Sequence, residues 1–197
     1  MALPQKSWTS PLEYLKAERH ATTKHELLDG EVYAMSGVSR HHWRIVANLS
    51  TTLNNRLGGR DCDAGASDLR VRIPATEAYL YPDIVAYCGE PKFLDDHHDT
   101  LENPILLAEV LSPSTHRFDQ RVKLQHYMKI ESLHTYLIVA QDEVHVQQLE
   151  RHGEDWHISV YTSLDDSVKL PSLEIELPLR EVYYRVRFES QNESDQR

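Results

Sequence analysis

The chain has 197 residues, 40% of them hydrophobic, with 31 acidic against 21 basic side chains and a formal charge of −10. That length fills one good core and is short for two, so a single domain spanning the whole chain is expected. The acidity excludes a generally basic surface: contact with nucleic acid has to rest on a local basic cluster, on metal ions that offset phosphate charge, or on a weak, salt-sensitive complex.

The ends, about residues 1–10 and 188–197, are polar and without periodicity, and flexible termini are expected there. No apolar run approaches the ~20 residues of a bilayer span, and the opening MALPQKSW lacks the basic-then-apolar pattern of a signal peptide. A cytoplasmic location away from membranes follows. Cys62 and Cys88 are too few for a secreted framework and lack metal-ligand spacing, so two reduced thiols in strands are expected.

In chain order, Ser10 to Ala21, which carries Leu12, Tyr14 and Leu15, reads as a short helix entered through Ser-Pro. Asp29-Gly30 between HELL and EVYAM predicts a tight hairpin, because both residues tolerate positive φ. Period two puts Glu26 and Leu28 on one side and Leu27 on the other. A helix is expected from Arg40 to Leu57, striped by His42, Ile45, Val46, Leu49, Leu53 and Leu57 and closed by Gly58-Gly59. His42 begins the apolar stripe, so it is either a core-edge histidine or a group aimed into a site. CDAGASDLRVRI alternates at Leu69, Val71 and Ile73 as a strand ended by Pro74. The loop after Cys88 holds Asp95, Asp96, His97, His98 and Asp99, a metal-like composition without the fixed geometry a metal site needs.

Between Tyr81 and Lys123 two apolar runs each hold one carboxylate. Asp83 opens Ile84-Val85-Ala86-Tyr87, and Glu109 lies inside a run from Pro104 to Leu111 suited to a buried strand. A buried charge costs several kcal/mol without a partner, so Glu109 points to a site. A helix from His116 to Ile130 follows, and at 100° per residue Asp119, Lys123, His126, Tyr127 and Ile130 share a face. LHTYLIVA, EVHVQQLER and WHISVY read as an antiparallel meander, and Leu177 to Val186 reads as a last helix. Two carboxylates on neighbouring strands can share Mg²⁺ or Mn²⁺ through oxygen ligands, and a nearby lysine can act on the attacking water. Asp83, Glu109 and Lys123 supply one of each.

These residues carry a resemblance. Pro82-Asp83, then Glu109 and a downstream lysine, resemble the PD-(D/E)XK superfamily of restriction-endonuclease-like nucleases. More closely, DGEVYAMSG, His42 at a helix start, YPDIVAY, EVLSPST and the Asp119, Lys123, Tyr127 spacing are similar to the Uma-two family of endonucleases, over most of the chain from Leu12 to beyond Ile138. The resemblance implies an α/β (α+β) restriction-endonuclease-like core: a mixed central sheet flanked by helices, with an N-terminal hairpin and C-terminal antiparallel strands. It implies a Mg²⁺- or Mn²⁺-dependent endonuclease with DNA, more than RNA, as partner. Asp83, Glu109 and the Val110 backbone carbonyl become metal ligands, Lys123 a catalytic group, and His42, Asp119 and Tyr127 supporting groups. Glu26 or Glu31 joins the metal site, with Glu26 preferred. The superfamily's lysine, two residues after the second carboxylate, is replaced by Leu111, and Lys123 substitutes from the next helix. By analogy such nucleases work as homodimers. Leu111 and the net charge also feed a second reading, a nuclease fold that has lost catalysis and serves as a binding or regulatory module. The twelve histidines lack paired spacing for a zinc protein.

Overall fold

The computed structural model describes residues 8–35, 37–66, 68–111 and 116–188, with the helical backbone alone over 116–121. The chain runs α1 (Pro11–Glu18), β1 (His25–Leu28), β2 (Glu31–Ala34), α2 (Arg40–Leu57), β3 (Cys62–Ala66), β4 (Arg70–Ile73), β5 (Ala78–Leu80), β6 (Ile84–Cys88), β7 (Thr100–Leu101) and β8 (Leu106–Leu111). It continues through α3 (His116–Tyr127), β9 (Thr135–Ala140), β10 (Val146–His152), β11 (Asp155–Tyr161), β12 (Ser167–Leu170), a 3₁₀ turn, β13 (Ile175–Pro178) and α4 (Leu179–Val182).

Six strands in the order β11-β10-β9-β8-β6-β3 make the main sheet, in which only β8 and β9 run parallel. The mixed sheet is the restriction-endonuclease-like core expected from the sequence. A second sheet, β2-β1-β5-β4-β7, and a small hairpin, β12-β13, complete the strands. Residues Leu106, Ala108 and Val110 of β8 pack with the α2 stripe and with Val168, Leu177 and Val182. Leu107 and Leu111, on the opposite face, pack with Val71, Ile73 and Leu80 of the second sheet and with Tyr127 of α3. Successive strand residues alternate faces, so Glu109 points into the layer between the main sheet, the second sheet and α3.

Local chemistry explains the elements that matter to the site. Ser10 caps α1 with Glu13 in a reciprocal capping box. Asp29 and Gly30 take φ of 49° and 78°, the tight turn that pairs Leu28 with Glu31 and sets the hairpin register. Ser39 caps α2, whose buried residues include Ile45, Val46, Leu49, Leu53 and Leu57 of the expected stripe.

Several expectations are corrected. The segment from Cys62 to Ile73 is two strands in different sheets, broken by a turn in which the Asp68 N–H donates to the Ala66 carbonyl at 2.8 Å. Leu177 and Pro178 end a strand, and the last α-helix covers only Leu179–Val182. The β12-β13 pairing takes those residues because it buries Leu177 opposite Val168. Cys62 and Cys88 are joined in a disulfide: they are directly opposed in the β3-β6 register, which brings their Cα atoms to 4.0 Å. Of the expected flexible ends, residues 1–7 and 189–197 lie outside the described residues. The Thr9 N–H donates to the Gly30 carbonyl, and Phe188 meets Tyr183 edge-on at 5.5 Å. Among the described residues no helix is long and apolar enough to cross a membrane.

Candidate active site

The charge buried in β8 finds its hydrogen-bond partners on α3. Glu109 is 4% exposed, and its Oε1 accepts hydrogen bonds from the Tyr127 hydroxyl at 2.9 Å and the Lys123 ammonium at 3.3 Å. Lys123 also donates to Glu26 Oε1 at 2.9 Å. One cation therefore bridges two buried carboxylates. Glu26 comes from the hairpin, where the turn register turns it inward, and its Oε1 also accepts the Tyr81 backbone N–H at 3.1 Å. Glu31 is half-buried and accepts from the Tyr33 hydroxyl two residues away, so of the two candidates Glu26 is the one brought beside Glu109. The stripe read from the sequence places Lys123 and Tyr127 one turn apart on the inner face of α3, and both are buried together with His126 and Ile130. His126 faces Thr76 Oγ1 at 2.8 Å and Asp29 at 3.7 Å instead of Glu26 and Glu109.

Asp83 sits where β6 begins. Pairing between β6 and β8 ends at Ile84 and Ala108, and the Val110 N–H, two residues further, donates to Asp83 Oδ2 at 2.8 Å. His42 Nε2 lies 3.0 Å from the same oxygen. The first turn of α2 thus reaches the site, as one of the two readings of His42 anticipated, while Asp119's side chain lies outside the described residues.

Electrostatics make Glu109 the exceptional group. Burial pushes its carboxyl up to about 8; Lys123 and the Tyr127 hydroxyl oppose this, and the charges of Asp83 and Glu26 reinforce it. Burial and the neighbouring Glu109 likewise push the Tyr127 hydroxyl well above its ordinary value, so it remains a donor.

Among the described residues no three His, Cys, Asp or Glu side chains gather closely enough to hold a metal by themselves. The donor set nevertheless suits a hard cation that keeps much of its water, which needs few protein oxygens. Among the described residues Glu109 Oε2 accepts no hydrogen bond, since both donors are on Oε1. In a strand the N–H and C=O of one residue point to the same side, so the Val110 carbonyl faces the Asp83 side along with its N–H.

Residues 11–180 match the family model Uma2, described as "Putative restriction endonuclease". The chain belongs to the Uma2 family. Two relatives of this Uma2 protein occur in Synechocystis: the uncharacterized protein slr1290 is 36% identical over 182 residues, covering 91% of this chain and 93% of the relative. The uncharacterized protein sll1609 is 38% identical over 142 residues, 72% of this chain and 80% of the relative. The fold is similar to a crystal structure titled as a putative nuclease belonging to DUF820 from Anabaena variabilis, with a TM-score of 0.74 at 18% identity over 88% of this chain and 97% of that one.

Sequence reasoning missed the polar network behind the Uma2 site. The Tyr81 hydroxyl donates to the buried Glu18 and lies 3.3 Å from Arg70, and Arg70 pairs with Asp99 at 2.7 Å. Asp95 and Asp99 both bind Arg19. Although burial alone would raise the Asp99 carboxyl, Arg19, Thr100 and Arg70 hold it far below the ordinary range. The acidic loop thus ties down α1. A tyrosine directly before Pro82-Asp83 was the one local signal.

Proposed function

We propose that the chain is a nuclease that hydrolyses phosphodiester bonds with Mg²⁺ or Mn²⁺, and that DNA is its substrate. The observation that carries this reading is Glu109: a carboxyl held in a buried strand, raised by burial, adjacent to Asp83 and bonded on one oxygen by Lys123 and Tyr127. A purely structural role gives no reason to keep that charge, since apolar replacements are often as stable. Membership of a family described as restriction endonucleases supports it.

Asp83, Glu109 through Oε2, and the Val110 carbonyl would hold the cation. When bound, a divalent cation supplies Lewis-acid polarisation of the phosphate and acidifies a coordinated water. Tyr127 fixes the rotamer of Glu109 and favours its ionised form, and His42 with the Val110 N–H fixes Asp83. Lys123, held by Glu26, presents an ammonium that orients the attacking water and offsets charge growing on the phosphate oxygens. Glu26 enters this proposal as the partner of Lys123.

Nicking of supercoiled plasmid in Mn²⁺ tests the proposal, with wild type beside Asp83→Asn. Asparagine keeps an acceptor for the Val110 N–H while removing the charge, so the fold is expected to survive and cleavage to disappear. Equal nicking by both proteins sinks the assignment. One observation favours a catalytically silent binding module: Leu111, at the superfamily's lysine position, is 5% exposed and packed in the core. Under that reading both proteins are inactive and Mn²⁺ leaves the melting temperature of each unchanged.

A further inference from the structure

The acidic balance of the chain demands a local basic cluster if nucleic acid is bound at all, and one such cluster stands out by its lack of partners. Arg19, Arg70 and Arg72 pair with carboxylates, as do Arg56, Arg60 and Arg180. Arg151 binds the carbonyls of Leu133, Met128 and Ile130. Arg40, Arg44, Arg185 and Arg187 are different. Among the described residues none of these four side chains makes a hydrogen bond or ion pair, and all four line one cleft of about 420 Å³ together with His41.

Two segments far apart in sequence build the cleft. Asn48 of α2 donates to the carbonyls of Val182 and Tyr184 at 2.9 and 2.8 Å, which lays the segment after α4 along the helix. Phe188 then meets His41 edge-on at 6.4 Å, so Arg185 and Arg187 come beside Arg40 and Arg44. Like charges brought together without counter-ions repel each other, a cost the fold tolerates here. Exposed aromatics flank the cluster: the Arg44 guanidinium lies 4.7 Å from the Trp43 ring and that of Arg185 lies 5.2 Å from the Tyr184 ring, with both rings 56% exposed. Cationic groups interleaved with solvent-facing rings are the chemistry that holds a phosphate chain and its bases.

We propose that this cleft binds the sugar-phosphate backbone of the nucleic acid on which the site acts. The proposal rests on the nuclease reading for its choice of polyanion. The same first turn of α2 sends His42 inward to Asp83 and Arg40 and Arg44 outward to the cleft. The two sites are therefore separated on the order of one helix diameter, about 10–12 Å. At about 3.4 Å per nucleotide, a strand covers that distance in about three or four nucleotides. The cleft would hold phosphates flanking the one placed at Asp83 and Glu109.

Fluorescence anisotropy of a labelled duplex and its single strand, titrated with salt in EDTA, keeps chemistry out of the measurement. Each phosphate contact contributes about 0.9 to the slope of log K against log salt, or roughly tenfold in affinity at about 50 mM salt. Arg40→Gln/Arg44→Gln and Arg185→Gln/Arg187→Gln are each expected to lower the slope by about 2 and to weaken binding by on the order of a hundredfold. Lys169→Gln, an exposed charge on β12, is expected to do far less. Melting temperatures near the wild-type value show that the double variants fold. Binding unchanged in both double variants overturns the proposal. So does a wild type that binds neither DNA nor RNA at low salt, or one whose arginines are needed for heparin or anionic vesicles alone. Arginine-dependent DNA binding without any Mn²⁺-dependent cleavage would sink the catalytic reading and leave this one standing.

Discussion

Replacing Glu109 by glutamine isolates the cost of a carboxyl kept in a dry layer. In the native state burial raises that carboxyl from 4.5 to about 8, while in the unfolded chain it stays near the ordinary value. Between those pH values the folded protein holds a proton that the unfolded chain has released. Linkage then requires stability to fall as pH rises through this window, by up to about 1.4 kcal/mol per pH unit, and to level off above it. Over the window the loss amounts to a few kcal/mol, or roughly 6–12 °C in melting temperature for about 3 kcal/mol in a chain of this size. Glutamine keeps an oxygen for the Tyr127 and Lys123 donors and cannot ionise. Wild type and Glu109→Gln are therefore expected to have similar stability near pH 5, with the variant more stable near pH 9 when no divalent metal is present. Urea unfolding at several pH values reads the difference directly, since the remaining titrating groups are common to both proteins. Parallel stability curves would mean that Glu109 is ionised across the range, and the argument from burial would fail.

Lys123→Ala leaves Glu26 and Glu109 without their shared cation and is expected to cost about 3–5 kcal/mol near pH 8, less near pH 5; a loss under about 1 kcal/mol in urea unfolding contradicts the bridge. Tyr127→Phe deletes a donor that favours the ionised form of Glu109, so the pH at which Mn²⁺ begins to raise the melting temperature should move upward. An unchanged onset would show that Tyr127 does not tune the carboxyl. The Cys62–Cys88 disulfide spans 26 residues, worth about 3 kcal/mol by loop-closure entropy; reduction is expected to lower the melting temperature by several degrees, and no change would mean the bond is not formed in solution.

Features that were legible in the sequence are those whose cause is local. Asp29-Gly30 sets its own turn, Ser39 and a stripe of apolar residues delimit α2, and a single charge inside Pro104 to Leu111 is visible because its neighbours are not charged. Lys123 and Tyr127 could be placed on one face of α3 by spacing alone. What remained hidden depends on register between distant strands. The disulfide follows from Cys62 standing opposite Cys88 across the β3-β6 pair, and the role of Glu18 and Arg70 from contacts with Tyr81 63 and 11 residues away. The basic cleft was invisible for the same reason: Arg185 and Arg187 come beside Arg40 through contacts of the chain after α4 with α2, those of Asn48 and His41 among them.

The ion pair between Glu26 and Lys123 joins residues 97 positions apart, while Lys123 and Glu109 are separated by only 14. A molecule in which β8 and α3 have docked but the N-terminal hairpin has not would retain the short link and lack the long one. Its lysine would keep Glu109 and lose Glu26, and the layer around Glu109 would lie open on the hairpin's side. The Glu26–Lys123–Glu109 bridge is therefore complete only once the second sheet has closed over the first. During synthesis the hairpin emerges early and must stay available until α3 has been made, so this bridge across 97 positions is among the last contacts the chain acquires.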